Sequence, residues 1–183
     1  MKMAVINSSP LILLFETELE FILKEIFSEI IIPQSVWSEV CESGENDKAS
    51  LLLPSATWIK KEIISIEPEV ASWDLGRGET SVLSFALKNR NHIAVVDDRL
   101  ARKFAEVYKI ALIGTGGLLV VAKRLGLLKS ISQHLINLQR AGLYISRDVV
   151  NVLLKEAGEL CLLKKYRLLD FTRKVCNANE LLH

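Results

Sequence analysis

Ile93-Ala-Val-Val-Asp-Asp-Arg-Leu-Ala-Arg102 is the stretch whose reading decides the fold. Four apolar residues run without interruption into two aspartates and then into a charged, helix-forming segment. An unbroken apolar run of this length suits a strand covered on both faces, which is the habit of parallel sheets. The spacing predicts a strand over 93–96 and a helix over 99–108. The N-terminus has the same grammar. Met3-Ala-Val-Ile6 reads as a buried strand and Asn7-Ser-Ser-Pro10 as the turn that leaves it. Leu11, Leu14, Leu19, Ile22, Leu23 and Ile26 then recur at helical spacing, predicting a helix buried on one face. Ser9 is the expected N-cap, with Pro10 at the first helical position.

Outward from these two units the alternation continues. Residues 30–32 form a second apolar strand, and Pro33 opens a short helix over 34–41 with Val36, Trp37 and Val40 on its apolar side. Residues 44–48 read as a loop and 49–53 as a helical turn. Residues 58–66 are irregular to strand-like. Leu75-Gly-Arg-Gly78 is a turn before a helix over 79–89, and 110–113 is a further strand broken by Gly114-Thr-Gly-Gly117. Residues 118–125 and 131–140 are helical, with a short non-helical piece at 143–145, and residues 160–175 have the pattern of an amphipathic helix. Strands alternating with helices through about residue 125 predict an α/β fold with a parallel sheet and helices on both its faces. The expected organisation is one domain over 1–158 followed by a C-terminal helical tail over 159–183.

Composition narrows the function classes. The 183 residues carry a formal net charge of only +1, so any nucleic-acid ligand needs a local basic patch. Cys41, Cys161 and Cys176 are scattered and odd in number, which disfavours a zinc site or a disulfide framework and suits a reducing compartment. His92, His134 and His183 are equally dispersed. The longest uncharged stretch, 110–122, is glycine-broken and shorter than the ~20 residues of a spanning helix. The apolar residues at the N-terminus are interrupted before a signal-peptide core forms. A cytoplasmic protein without a membrane segment is therefore expected.

Ligands of an open parallel sheet bind beyond the carboxyl ends of its strands. Asn7 ends the first strand, and Asp97 and Asp98 end the third. Glu39 lies in the helix that leaves the second strand, and Glu79 begins a helix packed back toward the same edge. Four distant segments thus deliver Asn7, Glu39, Glu79 and the Asp97-Asp98 pair to one region. Grouped carboxylates repel unless a cation lies between them. Hard oxygen donors suit Mg²⁺ or Mn²⁺, which can activate water against a phosphodiester. Each residue has a plainer use as well. Glu79 favours the helix dipole, Asp98 can cap the next helix, Asn7 can cap or turn, and Glu39 can sit on a solvated face.

In this order, Asn7-Ser-Ser-Pro-Leu11 after a strand, Ile-Ile-Pro33-x-x-Val-Trp-x-Glu39-Val, Gly76-x-Gly-Glu79 and Val-Val-Asp97-Asp98-Arg-x-Ala-Arg102 resemble the PIN-domain nucleases. The likeness is greatest to members beginning Asn-(Ser/Thr)-Ser-Pro, and it covers residues 3 to about 125 with a further match through Gly158. The resemblance implies a Rossmann-like sheet of about five parallel strands. It also implies a metal-dependent endoribonuclease, often the toxin of a prokaryotic toxin–antitoxin pair. It assigns Glu39, Glu79 and Asp98 as the metal-holding acids with Asn7 beside them, and leaves the neighbouring Asp97 open as an alternative metal ligand to Asp98. The family usually begins with Asp where this chain has Asn7, which offers an oxygen but no charge. The usual acid after the third strand's helix has no clear counterpart. Thr115 offers a hydroxyl near the site, with a tight turn as its plainer reading.

RNA phosphates would need cations near the acids. Arg99 and Arg102, with Lys103, adjoin the aspartate pair, and Arg77 adjoins Glu79. Ser9 and Thr115 complete the expected substrate-binding set. RNA and a small antitoxin protein are the expected partners, with a homodimer as a further expectation. The competing reading is a degenerate PIN-like module that binds RNA or protein without cleavage. A dinucleotide enzyme lacks its Gly-x-Gly-x-x-Gly turn. An aspartyl-nucleophile phosphatase lacks an aspartate at Asn7-Ser-Ser9.

Overall fold

The computed structural model describes residues 2–44 and 46–159. Five strands, β1 (Lys2–Ile6), β2 (Phe27–Pro33), β3 (Lys60–Glu62), β4 (His92–Val95) and β5 (Leu112–Ile113), make one sheet in the order β3-β2-β1-β4-β5. All four neighbouring pairs are parallel. Ala4, Val5 and Ile6 are consecutive and buried, as are Ile30, Ile31 and Ile32. Successive strand side chains point to opposite faces, so both faces are covered, as the unbroken apolar runs require. Each fully buried valine or isoleucine among them contributes about 1.5–3 kcal/mol relative to exposure.

Two helices, α1 (Ser8–Glu16) and α2 (Phe21–Ile26), connect β1 to β2, where the sequence pattern predicts a single helix over 11–26. The break is made by backbone. Leu19 N–H bonds Leu14 O, Glu18 N–H bonds Phe15 O, and Glu18 adopts φ 59°. That closure normally uses glycine, so a glutamate there gives no signal. The expected cap also moves. Asn7, not Ser9, occupies the N-cap position, and Pro10 lies within the first turn.

After β2 come α3 (Gln34–Cys41), α4 (Lys48–Leu52) and a 3₁₀ turn over Leu53–Ser55. The hard-to-place 58–66 region contains β3, an edge strand with all three residues exposed. Next follow α5 (Pro68–Ala71) and α6 (Arg77–Lys88), the latter packed on β1, β2 and β4. α7 (Arg99–Val107) joins β4 to β5. α8 (Thr115–Arg124) begins within Gly114-Thr-Gly-Gly117, so that segment opens a helix instead of forming an isolated turn. α9 (Ser132–Arg140) and α10 (Arg147–Glu156) complete the described chain, and 143–145 is irregular between them. The helix expected over 160–175 lies outside the described residues. Among those residues no helix is long and apolar enough to cross a membrane.

The strand order reverses at the β1/β4 boundary. From β1 the chain builds outward through β2 and β3, then crosses back to β4 and β5. Crevices form at such a reversal, beyond the carboxyl ends of the strands.

Candidate functional site

At the reversal, Ile6 pairs with Val95 and Asn7 N–H bonds Val95 O at 3.1 Å. This sets Asn7 beside the end of β4, where Val96 leads into Asp97. Asn7 is only 1% exposed. It holds the N-cap backbone conformation of α1, φ −87° and ψ 166°, yet its side chain makes no capping bond. A capping side chain is worth about 1 kcal/mol. Asn7 forgoes it and turns its amide away, with Nδ2 donating to Glu79 Oε1 at 2.8 Å. Its Oδ1 is buried and has no hydrogen-bond partner.

Glu79 reaches this place from the first turn of α6. Glu39 reaches it from α3, held by Val36 and Val40 on that helix's buried side. The two helices are joined by the Ser35 hydroxyl, which donates to Ser81 Oγ at 2.8 Å, while Ser81 donates to Arg77 O at 3.0 Å. Glu39 is oriented by Ser8, whose hydroxyl donates to Oε2 at 2.8 Å. Gly78 lies between them. A Cβ there would collide with Asn7 Oδ1 and sit 2.7 Å from Glu39 Oε2. Only a residue without a side chain lets α6 approach so closely, and the unpartnered Asn7 oxygen and the Glu39 carboxylate are near neighbours across it.

The aspartate pair divides. Asp97 accepts two bonds from Thr115, from N–H to Oδ1 at 2.8 Å and from the hydroxyl to Oδ2 at 2.5 Å. Asp98 is exposed and is the N-cap of α7, accepting from Ala101 N–H at 2.7 Å. The structure thus fixes Asp97 by a buried threonine and gives Asp98 the capping role. Thr115 itself is fully buried. Gly114 lets the chain pass Asp97 and Arg102. A Cβ there would lie 2.8 Å from Asp97 Oδ1 and 2.8 Å from Arg102 Nη1.

The sheet edge therefore gathers Asn7, Glu39 and Glu79 on one side and Asp97 with Thr115 at the end of β4. Arg77 and Arg99 are exposed at the first positions of α6 and α7, and Ser9 is exposed on the first turn of α1. Arg99, Arg102 and Lys103 line a groove of about 630 Å³ together with Ala105, Glu106, Ile110 and Leu112. Ser8 and Gly78 also belong to the site, although sequence reasoning assigns neither a role. Both lie inside motifs of the resemblance, Asn7-Ser-Ser-Pro10 and Gly76-x-Gly-Glu79, and those motifs are the signal that could find them.

Among the described residues, no three His, Cys, Asp or Glu side chains are grouped as a metal-ligand set. The expectation of one ion held jointly by Glu39, Glu79 and Asp98 is not what the arrangement offers. What fits is an ion held by few protein oxygens. Mg²⁺ keeps several waters and takes one or two carboxylates. The buried, unpartnered Asn7 Oδ1 beside Glu39 is an oxygen of the right hardness with nothing else to satisfy it.

Comparison with known proteins adds a family. A family model described as a PIN domain matches residues 3–159, most of the chain. No curated protein matches it.

Proposed function

We propose that this chain, which belongs to the PIN-domain family, is a divalent-metal-dependent ribonuclease whose active edge is Asn7, Glu39 and Asp97, with Glu79 behind Asn7. The fold is of nuclease type. The observation that carries the finer reading is the buried Asn7 Oδ1 without a hydrogen-bond partner, turned toward the Glu39 carboxylate at the strand-order reversal. An unpaired buried carbonyl costs about 1–3 kcal/mol. A cation ligand would remove that cost.

The residues divide the work. Asn7 Oδ1 and Glu39 present oxygens to Mg²⁺ or Mn²⁺. Ser8 holds one Glu39 oxygen and leaves the other available. Asp97, steadied by Thr115, stands at the neighbouring strand end as a further acidic group for metal or water. When bound, a divalent ion supplies Lewis acidity toward a phosphodiester. Arg99, Arg102 and Lys103 hold RNA phosphates along the groove they line beside α7. The proposal extends to a toxin role in the cytoplasm, with a small protein antitoxin as partner.

The test is cleavage of single-stranded RNA by purified protein with Mn²⁺. Glu39→Gln and Asp97→Asn should each lower turnover by about 100-fold (about 2.7 kcal/mol of barrier), while Asp98→Ala cleaves like the parent. Loss on Asp98→Ala with retention on Asp97→Asn would reverse the assignment. A second reading, RNA binding without cleavage, is favoured by the neutral Asn7 and by the lack of a three-acid group among the described residues. RNA retained by an uncleaving parent protein would establish it.

A further inference from the structure

We propose that Arg102 is set apart from Arg99 and Lys103 as the residue that touches the reacting phosphate, while the other two hold the flanking backbone. The proposal rests on the ribonuclease reading above and divides the groove cations within it.

The three cations share one face of α7, because residues 99, 102 and 103 are three and four apart. A helical side chain lies over the turn that precedes it. For Arg102 that turn is the one capped by Asp98, directly beyond β4, and the Arg102 amide bonds Asp98 O at 3.1 Å. Its Nη1 and Asp97 Oδ1 each lie 2.8 Å from the point that a Cβ on Gly114 would occupy. The two atoms are therefore within twice that distance of each other, across the space that Gly114 leaves open. Arg102 thus belongs both to the groove and to the strand ends.

Nothing in the fold needs that guanidinium. Among the described residues it has no hydrogen-bond or ion-pair partner. Asp97 does not need it either, since both Asp97 oxygens accept from Thr115. A permanent charge and a set of N–H donors are left free beside an acid that is already fixed. The strand order sets the line of the edge, with Asn7 after β1, Asp97 after β4 and Arg102 against Gly114 after β5. A phosphate in front of Asp97 meets Arg102 on one side and Asn7 with Glu39 on the other. The planar guanidinium fork matches two phosphate oxygens. In hydrolysis a water oxygen bonds phosphorus and the bond to the leaving sugar oxygen breaks. One of the water's protons ends on that leaving oxygen, and the other goes to the new phosphate or to solvent. Arg102 gives up no proton. It stabilises the negative charge that develops on the phosphoryl oxygens.

Single-turnover cleavage of an end-labelled single-stranded RNA with Mn²⁺, protein in excess, separates the plateau rate from the protein concentration at half-saturation. Arg102→Gln lowers the plateau by at least about 100-fold and leaves half-saturation within about threefold of the parent's. Arg99→Gln with Lys103→Gln does the opposite, raising half-saturation while the plateau holds. Arg102→Gln also keeps the parent's Tm, because the side chain has no partner to lose. An Arg102→Gln protein that shifts half-saturation and keeps the plateau, or that changes neither, overturns the proposal. So does a slow plateau accompanied by a Tm several degrees lower, since a loosened edge then explains the loss. A parent that cuts no RNA with Mn²⁺ fails the ribonuclease reading and this proposal with it, whereas a cleaving parent with an equally fast Arg102→Gln protein overturns this proposal alone.

Discussion

Asn7 faces two ways at once, with its amide on Glu79 and its oxygen toward Glu39, and the glycine opposite makes both possible. At this scale the sharpest prediction concerns Gly78. Alanine in a helix is ordinarily better than glycine by about 1 kcal/mol. Here its Cβ would collide with Asn7 Oδ1, and overpacking of this kind costs about 1–3 kcal/mol. Gly78→Ala should therefore lower the urea midpoint of unfolding despite its better helix propensity. A midpoint equal to the parent's would mean that α6 does not hold the site closed. The Asp97–Asp98 pair shows where single residues outrun sequence reading. Both end a strand and both precede a helix, and only the buried Thr115 hydroxyl eighteen positions on decides which of them is fixed at the edge.

Among the elements, the clearest dependency is the junction of α8, α9 and the end of α10. Glu159 is buried at 2% exposure and accepts from Lys123 of α8, from Ser130, from the Ile131 amide, and from the amide and hydroxyl of Ser132 at the start of α9. Burial alone would raise its pKa, but Lys123, Ser132, Ile131 and Ser130 outweigh burial and bring it from 4.5 to about 2. A carboxylate depressed in the folded state contributes stability that is fully present above its unfolded pKa. That contribution is lost as pH falls from about 4.5 through about 2. Glu159→Gln should cost about 2–3 kcal/mol at pH 7 and converge with the parent near pH 2. Parallel stability curves across that range would count against the ionised knot.

The elements also show which parts of the fold sequence can supply. Unbroken apolar runs announce β1, β2 and β4, because a strand covered on both faces needs apolar residues at every position. β3 is illegible for the opposite reason. It is a short edge strand of Lys60, Lys61 and Glu62, held by pairing with β2 and not by burial. The split between α1 and α2 is hidden because Glu18 takes a left-handed conformation usually given to glycine. Asn7 is legible as a site residue by its position, but its orientation depends on Glu79, seventy-two residues away.

Over the whole molecule, a net charge of +1 leaves RNA attraction to local arrangement. The groove beside α7 concentrates Arg99, Arg102 and Lys103. Removing cations that meet phosphates should weaken binding to all sequences alike and flatten its salt dependence, by about 0.7 in the log–log slope for each single-strand phosphate no longer neutralised. In a Glu39→Gln background with its slowed turnover, Arg99→Ala with Lys103→Ala should show this flattening in fluorescence-anisotropy titrations at several salt concentrations. An unaltered slope would place the RNA elsewhere.

The parallel order of the sheet has a consequence for the timing of synthesis. Asn7 is made almost first, yet its neighbour strand β4 follows some ninety residues later, and the threonine that steadies Asp97 later still. No ribosome-bound fragment ending before Thr115 contains the complete edge. Whatever chemistry that edge performs, it cannot begin until most of the chain has been translated.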